Sequence, residues 1–470
     1  MNCHYLGAMK ALILIILFLP ITLFSQIDGE WHGSFVVMGQ ATLLDLSVTS
    51  DTAHQSITIS DPEGAFKDMS MVILKLDDAT ISFEAKQIGA TYKGDYFVDG
   101  DSIYGTMRQG DVLWTISFHR EEQEMPAINR PQEPKEPYAF TQEEVMVPNG
   151  DISLGATLTL PINYRSDLPI VILASGSGPQ NRDCYILGHK PFFVIAEHFA
   201  KKGIATLRFD DRGVNESSGD YKSASVEDFA SDVEACVKYI SSQKRFKKNL
   251  LGLAGHSEGG IHTLMAAKGN RKVDFILQLA AVGTSGRGVL VEQQYLIPIQ
   301  SGNSEELSRW NQSVFDGMCA IVSKYAIAEA QDSLTTFLGA KYDSAPEEYT
   351  STTGKLAFMV SSATFINNEW ARQFVAFETA DYLKKIKVPI LCIAGGADIQ
   401  VPAESNIAGF EQNFSKKSSK HSKTIIVPGL NHLFQQCESC KLEEYGELSE
   451  TFSPIVLNHM SDWIKEIQAL

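Results

Sequence analysis

The chain has 470 residues, and its 40 Lys and Arg against 57 Asp and Glu give a formal net charge of −17. A surface this acidic argues against nucleic acid and anionic membranes as partners, because both repel negative charge. Hydrophobic residues make up 44% and charged residues 21% of the chain, which excludes a largely disordered or collagen-like protein. At roughly 100–200 residues per domain, this length predicts two to four domains.

Residues 1–25 have the pattern of a secretory signal peptide. Lys10 precedes an apolar run over residues 11–24, and polar Ser25 closes it. Because so short a run spans a bilayer poorly, we expect cleavage, with an uncleaved signal anchor as the alternative. The sequence therefore predicts a secreted or periplasmic protein with no stable membrane anchor after cleavage.

Six cysteines remain outside the predicted signal peptide, too few for a disulfide scaffold. Cys392 lies in an apolar run and is expected to be a buried free thiol. Cys437 and Cys440 form a lone C-x-x-C. Because a zinc site needs a second pair of ligands, we expect a local disulfide or plain thiols rather than a metal or redox centre. No metal and no organic cofactor is predicted.

Residues 27–120 consist of short runs that alternate polar and apolar side chains, as in residues 80–85, between turn residues. This period of two predicts an all-β domain of about seven or eight strands, either a sandwich or a small barrel. We expect the domain to contact the substrate or the rest of the chain. Residues 121–138 are rich in Pro and Glu and are expected to be a linker.

Residues 139–470 alternate apolar strands with amphipathic helices. Strands are expected at residues 144–148, 153–160, 168–174, 204–209, 250–254, 275–281, 388–394 and 423–427. This alternation predicts an α/β fold whose sheet is mainly parallel and covered by helices on both faces. Residues 285–383 interrupt it without a clear strand pattern. Because so long a loop is improbable, we expect an inserted helical subdomain there.

The segment Gly255-His256-Ser257-Glu258-Gly259 is a G-x-S-x-G motif directly after a predicted strand and before an apolar helical run. In this context the motif is typical of a nucleophile elbow, a strained turn that exposes the serine hydroxyl. The turn also lies at the positive end of the following helix. The motif therefore predicts Ser257 as a nucleophile, with a glycine-rich turn and an idle serine as the alternative.

A serine nucleophile needs a base, because its hydroxyl does not ionise usefully at neutral pH. In a strand–turn–helix site of this kind, the acid and then the histidine follow the serine along the chain. Asp398 and His432 each follow a predicted strand in that order. Both lie at strand carboxyl ends, where open α/β sheets place their ligands. They are therefore the predicted orienting acid and general base.

Other acids and histidines fit these two roles less well. Asp381 comes before the strand at 388–394, and Glu443 and Glu444 come after the predicted histidine. His256 and His262 come too early for the chain order.

An acyl-transfer site also needs N–H donors for the developing oxyanion. One predicted donor is the backbone N–H of Glu258, directly after the nucleophile, and the other comes from the loop at residues 175–183. We assign the second donor to Ser177, with Gly176 and Gly178 as the alternatives in this loop.

These segments resemble the α/β-hydrolase superfamily and, more narrowly, a bacterial carboxylesterase family with serine-peptidase relatives. The matching stretches are SGSGPQNRD (175–183), GHKPFFVIAEHFAKKGIATLRFDDRGVNESSGD (188–220), GHSEGG (255–260), VPILCIAGGADIQVP (388–402) and LNHLFQ (430–435). The resemblance implies a doubly wound sheet and a triad of Ser257, Asp398 and His432. The chain departs from the family's usual residues at Val214-Asn215 and at Cys440, and the resemblance does not extend to the β domain.

The sequence thus predicts an exported serine hydrolase that cleaves small carboxylic esters with short acyl chains through an acyl-enzyme on Ser257. The inserted helices would form a lid. One alternative is a serine peptidase of aminopeptidase type with the same triad, which would need acids such as Glu292, Glu305 and Glu306 to hold a free amine. The other is a non-catalytic binding protein whose β domain does the work.

Overall fold

The structure, a computed structural model, describes residues 27–37, 40–50, 55–61, 67–86, 89–98, 101–109, 112–121 and 129–470. The predicted signal peptide and part of the predicted linker lie outside these residues. The described chain contains one sheet of nine strands and one of eight. Within the described ranges, no helix is both long enough and apolar enough to cross a membrane.

The N-terminal sheet is antiparallel throughout. Its strands are β1 Gly29–Val37, β2 Gln40–Ser50, β3 Gln55–Ser60, β4 Met69–Ser70, β5 Val72–Leu76, β6 Thr80–Ala85, β7 Ala90–Phe97, β8 Ser102–Gln109 and β9 Val112–His119. The order across the sheet is β4-β3-β2-β1-β9-β8-β7-β6-β5. Strands that are neighbours in sequence are therefore neighbours in space, and β9 returns to pair with β1.

This sheet closes on itself. The strands at the two ends of its order, β4 and β5, are separated along the chain by Met71 alone, whose N–H donates to the carbonyl oxygen of Ile57 in β3 at 2.9 Å. The two strands are thus pieces of one bent strand that joins both edges. Trp31, Phe83 and Tyr92 are fully buried inside, so side chains fill the interior of this closed sheet.

The C-terminal sheet carries the residues predicted to be functional. Its strands are β10 Phe140–Asn149, β11 Ile152–Pro161, β12 Ile170–Ala174, β13 Ala205–Phe209, β14 Leu251–His256, β15 Phe275–Leu279, β16 Ile390–Gly395 and β17 Lys423–Val427. The order is β10-β11-β13-β12-β14-β15-β16-β17. The strand β11 is antiparallel to both its neighbours, and all the other pairs are parallel.

Helices connect these strands. They are α1 Pro191–Lys201, α2 Val226–Ser242, α3 Gly259–Ala267, α4 Gly286–Gln300, α5 Glu305–Lys324, α6 Ile327–Tyr342, α7 Glu347–Thr350, α8 Lys355–Ile366, α9 Glu369–Ala376, α10 Thr379–Leu383, α11 Ala403–Asn413 and α12 Pro454–Gln468. Helices α4 to α10 lie between β15 and β16 along the chain, and we call them the inserted helices.

The buried central strand β12 shows how helices cover both faces of this sheet. Ile170 and Ile172 pack in a core with residues of α2 and α3, whereas Val171 and Leu173 pack in a second core with α1 and α12. Since successive side chains of a strand point to opposite faces, the two cores lie on opposite sides of the sheet. The parallel strands all end at one edge, where the loops after β12, β14, β16 and β17 emerge.

Candidate active site

Ser257 lies in the tight turn between the end of β14 and the start of α3. Its φ angle is +53°, in the left-handed region that residues with a side chain rarely adopt. The Ser257 N–H donates to the carbonyl oxygen of Leu279, at the end of β15, at 2.9 Å. This bond helps to hold the turn in its strained conformation. The strand–turn–helix context predicted for the G-x-S-x-G motif is present.

The glycines on either side of Ser257 permit a very close approach of backbones. A Cβ built on Gly255 would lie 2.2 Å from the carbonyl oxygen of Gly259, and one built on Gly259 would lie 2.3 Å from the carbonyl oxygen of Ala174. Both distances are far shorter than van der Waals contact, so a larger residue would force β12, β14 and α3 apart.

His432 and Asp398 form a buried pair. His432 Nδ1 lies 2.7 Å from Asp398 Oδ2, and the residues are only 5% and 6% exposed. The other carboxylate oxygen, Oδ1, accepts the backbone N–H groups of Gln400 at 2.8 Å and Val401 at 2.9 Å. These two bonds fix the carboxylate, which leaves Oδ2 aimed at the imidazole. Asp398 is thus the acid that the structure brings to His432.

His256 joins the serine turn to the loop of His432. Its Nε2 lies 2.9 Å from the carbonyl oxygen of His432, and the two rings are 4.8 Å apart between centroids. Burial, assisted by the nearby His432, lowers the pKa of His256 to about 3. The ring is therefore neutral and donates from Nε2. Chain order excluded His256 as the general base, and no other role was predicted for it. Its position directly before Ser257 in the motif was the signal that could have placed it at the site.

The loop at residues 175–183 lies beside the serine turn. A Cβ built on Gly176 would lie 3.1 Å from the Cβ of Ser257, so this part of the loop is in contact with the predicted nucleophile. Ser177, the next residue, is exposed. Which N–H of this loop faces an oxyanion stays a prediction.

Asp211, which follows strand β13, forms hydrogen bonds with two residues of that loop. Its two carboxylate oxygens lie 2.8 Å from Ser175 Oγ and 2.9 Å from the N–H of Gln180. Burial raises the pKa of Asp211 to about 8, against the opposing effect of these two donors. The contact holds both ends of the loop segment that lies against Ser257.

The charges that flank Asp211 brace neighbouring loops. Arg182 Nη2 donates to Asp210 Oδ2 at 2.6 Å, and Arg212 Nε donates to Asp232 Oδ2 at 2.8 Å. Asp210 and Asp232 are almost completely buried. A buried carboxylate requires such a partner, so these pairs have a structural explanation.

Glu258 has a buried side chain that contacts the inserted helices. Trp370, in α9, donates from its indole Nε1 to Glu258 Oε1 at 2.6 Å. His262 Nε2 lies 3.3 Å from the same oxygen. Glu258 is 3% exposed, so Trp370 and His262 take the place of water around this carboxylate. The motif predicted a role for the backbone N–H of Glu258 but none for its side chain.

The C-x-x-C forms a disulfide between Cys437 and Cys440, one of the two states expected for it. Cys392 is a buried free thiol, as predicted. Within the part of the chain that the structure describes, no group of three or more His, Cys, Asp or Glu side chains is arranged to hold a metal ion.

Comparison with known proteins identifies the family. The family model of the X-Pro dipeptidyl-peptidases (S15 family) matches residues 120–433. The chain belongs to this family. The match contains every predicted site residue: Ser177, Ser257, Glu258, Asp398 and His432. The S15 family model therefore confirms the predicted relationship to α/β hydrolases and serine peptidases, and this protein is a member of a serine hydrolase family.

Individual relatives of this S15-family chain are distant. An uncharacterised 31.7 kDa protein from the traX-finO intergenic region of Escherichia coli is 20% identical over 278 residues, which cover 58% of this chain and 84% of that protein. Dienelactone hydrolase from Anabaena variabilis is 16% identical with a TM-score of 0.39, and the match covers 70% of this chain and 99% of that structure. Proline iminopeptidase from Mycobacterium smegmatis is 13% identical with a TM-score of 0.43, and the match covers 70% of this chain and 99% of that structure.

Proposed function

We propose that this protein is a serine hydrolase that cleaves carboxylic esters through an acyl-enzyme on Ser257. The observation that carries the proposal is the buried pair of His432 and Asp398, 2.7 Å apart, beside a left-handed serine turn. His256 links the two parts, because it precedes Ser257 and contacts the His432 carbonyl oxygen. A nucleophile, a base and a group that orients the base are the parts that acyl transfer requires.

In the proposed reaction His432 moves the protons. Asp398 accepts a hydrogen bond from the Nδ1–H of His432, so the neutral ring presents an unprotonated Nε2 to the Ser257 hydroxyl. As Ser257 Oγ attacks the ester carbonyl, Nε2 takes its proton and then passes it to the leaving alcohol. Water subsequently attacks the acyl-enzyme by the same route. Asp398 stabilises the imidazolium that forms in each half of the reaction.

The oxyanion that forms in each step needs donors, and we assign them to the backbone N–H groups of Glu258 and Ser177. Glu258 directly follows the nucleophile and precedes α3, whose positive end favours negative charge. The contact of Gly176 with Ser257 supports the assignment of the second donor to this loop.

The inserted helices are proposed to act as a lid that sets substrate size and water access. One described link between them and the site is the bond from Trp370 to Glu258. We expect short acyl chains to fit best beneath them.

Hydrolysis of p-nitrophenyl esters from acetate to laurate tests this function. The expected result is turnover that is highest on short chains and is abolished in Ser257→Ala. Ser344→Ala, which removes an exposed hydroxyl from the inserted region, is the matched control and should behave like wild type. Full activity in a folded Ser257→Ala variant would refute the assignment of the nucleophile.

A peptidase is the second candidate, and the match to the X-Pro dipeptidyl-peptidase family favours it. The same triad cleaves amides, with His432 protonating a leaving amine instead of an alcohol. Of the acids considered for binding a free amine, Glu305 is paired with Arg309 at 2.6 Å and Glu292 accepts from Ser405 at 3.3 Å. Side-by-side assays on p-nitrophenyl esters and Xaa-Pro anilides decide between the two bond types.

A binding protein without catalysis is the weakest alternative, because it would not need the His432–Asp398 pair. A fluorophosphonate probe should label wild-type protein at Ser257 and leave Ser257→Ala unlabelled. Wild-type protein that resists the probe would favour the binding function.

Export is also a proposal. The disulfide between Cys437 and Cys440 supports it, because such bonds persist mainly in oxidising compartments. Expression of the full chain with its first 25 residues, followed by mass measurement of the product, tests whether that segment is removed.

A further inference from the structure

The disulfide lies in the segment that connects His432 to Tyr445. Tyr445 is 1% exposed, and its Oη accepts the backbone N–H of His432 at 3.4 Å. Its carbonyl oxygen lies 3.0 Å from Nε2 of the buried His189. Tyr445 therefore contacts the backbone of the proposed general base. The disulfide lies in the segment between His432 and Tyr445.

One side of the disulfide contacts the chain just before His432. The N–H of Cys437 donates to the carbonyl oxygen of Gly429 at 3.2 Å, and Cys437 Sγ lies 3.3 Å from the same oxygen. Gly429 has a φ of +74° and begins the turn that leads to His432. A shift of Cys437 would therefore be transmitted to the start of the His432 loop.

The other side of the disulfide contacts Glu444, the residue directly before Tyr445. The Glu444 carboxylate accepts the N–H of Glu438 at 2.8 Å, the hydroxyl of Ser439 at 2.7 Å and the N–H of Cys440 at 2.6 Å. Three donors from the segment that contains the disulfide thus converge on one carboxylate. Opening the bond would loosen Glu444, and with it the adjacent Tyr445.

Among the described cysteines, the disulfide pair contains the one that is partly exposed to solvent, Cys440. Cys440 is partly exposed and sits beside the exposed Glu438 and Ser439. The four free cysteines, by contrast, are buried. Burial raises the pKa of Cys184 and of Cys319 to about 12, which makes these thiols poor nucleophiles.

We propose that Cys437 and Cys440 form a thiol–disulfide exchange site that controls the position of His432, with a dithiol reductant as the reacting partner. A thiolate of the dithiol attacks Cys440 Sγ, the bond between the cysteines breaks, and Cys437 leaves as a thiolate and takes a proton. The second thiol of the reductant then releases Cys440 as a thiol. Two cysteine thiols are gained, and the dithiol becomes a cyclic disulfide. The effect on activity rests on the proposed hydrolase function.

The test compares oxidised wild-type protein with protein reduced by dithiothreitol and then reoxidised. Iodoacetamide alkylation under native conditions, read by mass, counts the thiols opened by reduction. We expect two alkylated cysteines, roughly tenfold lower kcat on the best ester, a smaller change in KM, and recovery on reoxidation, since small misplacements of a base cost rate. Full alkylation of both cysteines with unchanged kcat and KM would overturn the proposal.

Variants separate the disulfide from other effects of the reductant. Cys437→Ser/Cys440→Ser should have the reduced activity in both buffers, while the surface control Glu438→Gln should respond to dithiothreitol like wild type. A double variant with wild-type activity would also overturn the proposal.

A second readout keeps this proposal separate from the proposed function. Oxidised protein without Ser257-dependent turnover would refute the hydrolase function. Amide hydrogen exchange would still test the loop, because reduction should accelerate exchange over residues 429–435. Unchanged exchange there would contradict the inference whatever the activity.

Discussion

The indole N–H of Trp370, on an inserted helix, donates to the carboxylate of Glu258, the residue directly after Ser257, at 2.6 Å. The two residues are 112 positions apart in sequence. Glu258 is also the proposed donor of an oxyanion hydrogen bond through its backbone. One bond therefore connects the proposed lid to the backbone that would stabilise the transition state.

Trp370→Phe should remove this bond while keeping an aromatic ring in place. The variant leaves a buried carboxylate with one donor fewer, and this loss is worth about 1–3 kcal/mol. The Trp370 bond is expected to help hold the Glu258 N–H in position. Its loss should therefore lower kcat on esters roughly threefold to tenfold, with little change in KM. Steady-state kinetics on p-nitrophenyl acetate measures this effect.

Trp310→Phe is the matched control for that variant. Trp310 also lies on an inserted helix and donates from its indole N–H, in this case to the carbonyl oxygen of Lys341 at 3.3 Å. Its replacement should lower thermal stability without lowering kcat. Equal losses of kcat in the two variants would show that Trp370 acts only through the stability of the inserted helices.

The sequence was sufficient to predict the parts of the candidate site whose signals lie in a few neighbouring residues. The apolar strand before Ser257, the glycines around it and the chain order of Asp398 and His432 each depend on a few neighbouring residues. The structure brings His432 and Asp398 together at 2.7 Å because their loops leave adjacent parallel strands, β16 and β17. Local chemistry and sheet topology are therefore enough to predict that pair.

Contacts between distant segments could not be predicted in this way. The bond between His256 and the His432 carbonyl oxygen spans 176 residues, and no periodicity encodes it. The closure of the N-terminal sheet depends on the bend at Met71, which alternation alone does not distinguish from a sandwich edge. Both features arise from three-dimensional packing.

Asp398→Asn should lower kcat by roughly 10³–10⁴. The amide group offers a donor or a weaker acceptor to His432 Nδ1, so the imidazole can adopt the wrong tautomer and its charged form loses its partner. Asp381→Asn, at a rival acid in α10, is the control and should retain wild-type kcat. Wild-type activity in Asp398→Asn would remove Asp398 from the mechanism.

Gly255→Ala should disrupt the serine turn. The added Cβ would lie 2.2 Å from the carbonyl oxygen of Gly259, and overpacking of this kind costs about 1–3 kcal/mol or more. Urea denaturation should show this loss, and fluorophosphonate labelling of Ser257 should slow. Gly339→Ala is the control: its Cβ would meet only Met359 and Lys355 side chains at 3.8 Å or more, so the helix α6 should gain about 0.5–1 kcal/mol. Equal stability of the two variants would contradict the packing argument.

Asp211→Asn should change how stability depends on pH. Burial raises the pKa of Asp211 from 3.8 to about 8 in the folded protein. Between these values the folded state holds a proton that the unfolded chain has released, so this group's contribution to stability falls as the pH rises from about 4 to about 8. The variant lacks that dependence. Its free energy of unfolding, relative to wild type, should therefore increase with pH across this range.

Urea denaturation at several pH values between 5 and 8 measures this difference between Asp211→Asn and wild type. Asp151→Asn, at an exposed turn between β10 and β11, is the control, and its curve should run parallel to that of wild type. If the Asp211→Asn curve also runs parallel to wild type, the Asp211 carboxyl group does not take up its proton in this range. The donors Ser175 and Gln180 would then outweigh burial, and the loop beside Ser257 would be held by a charged carboxylate throughout.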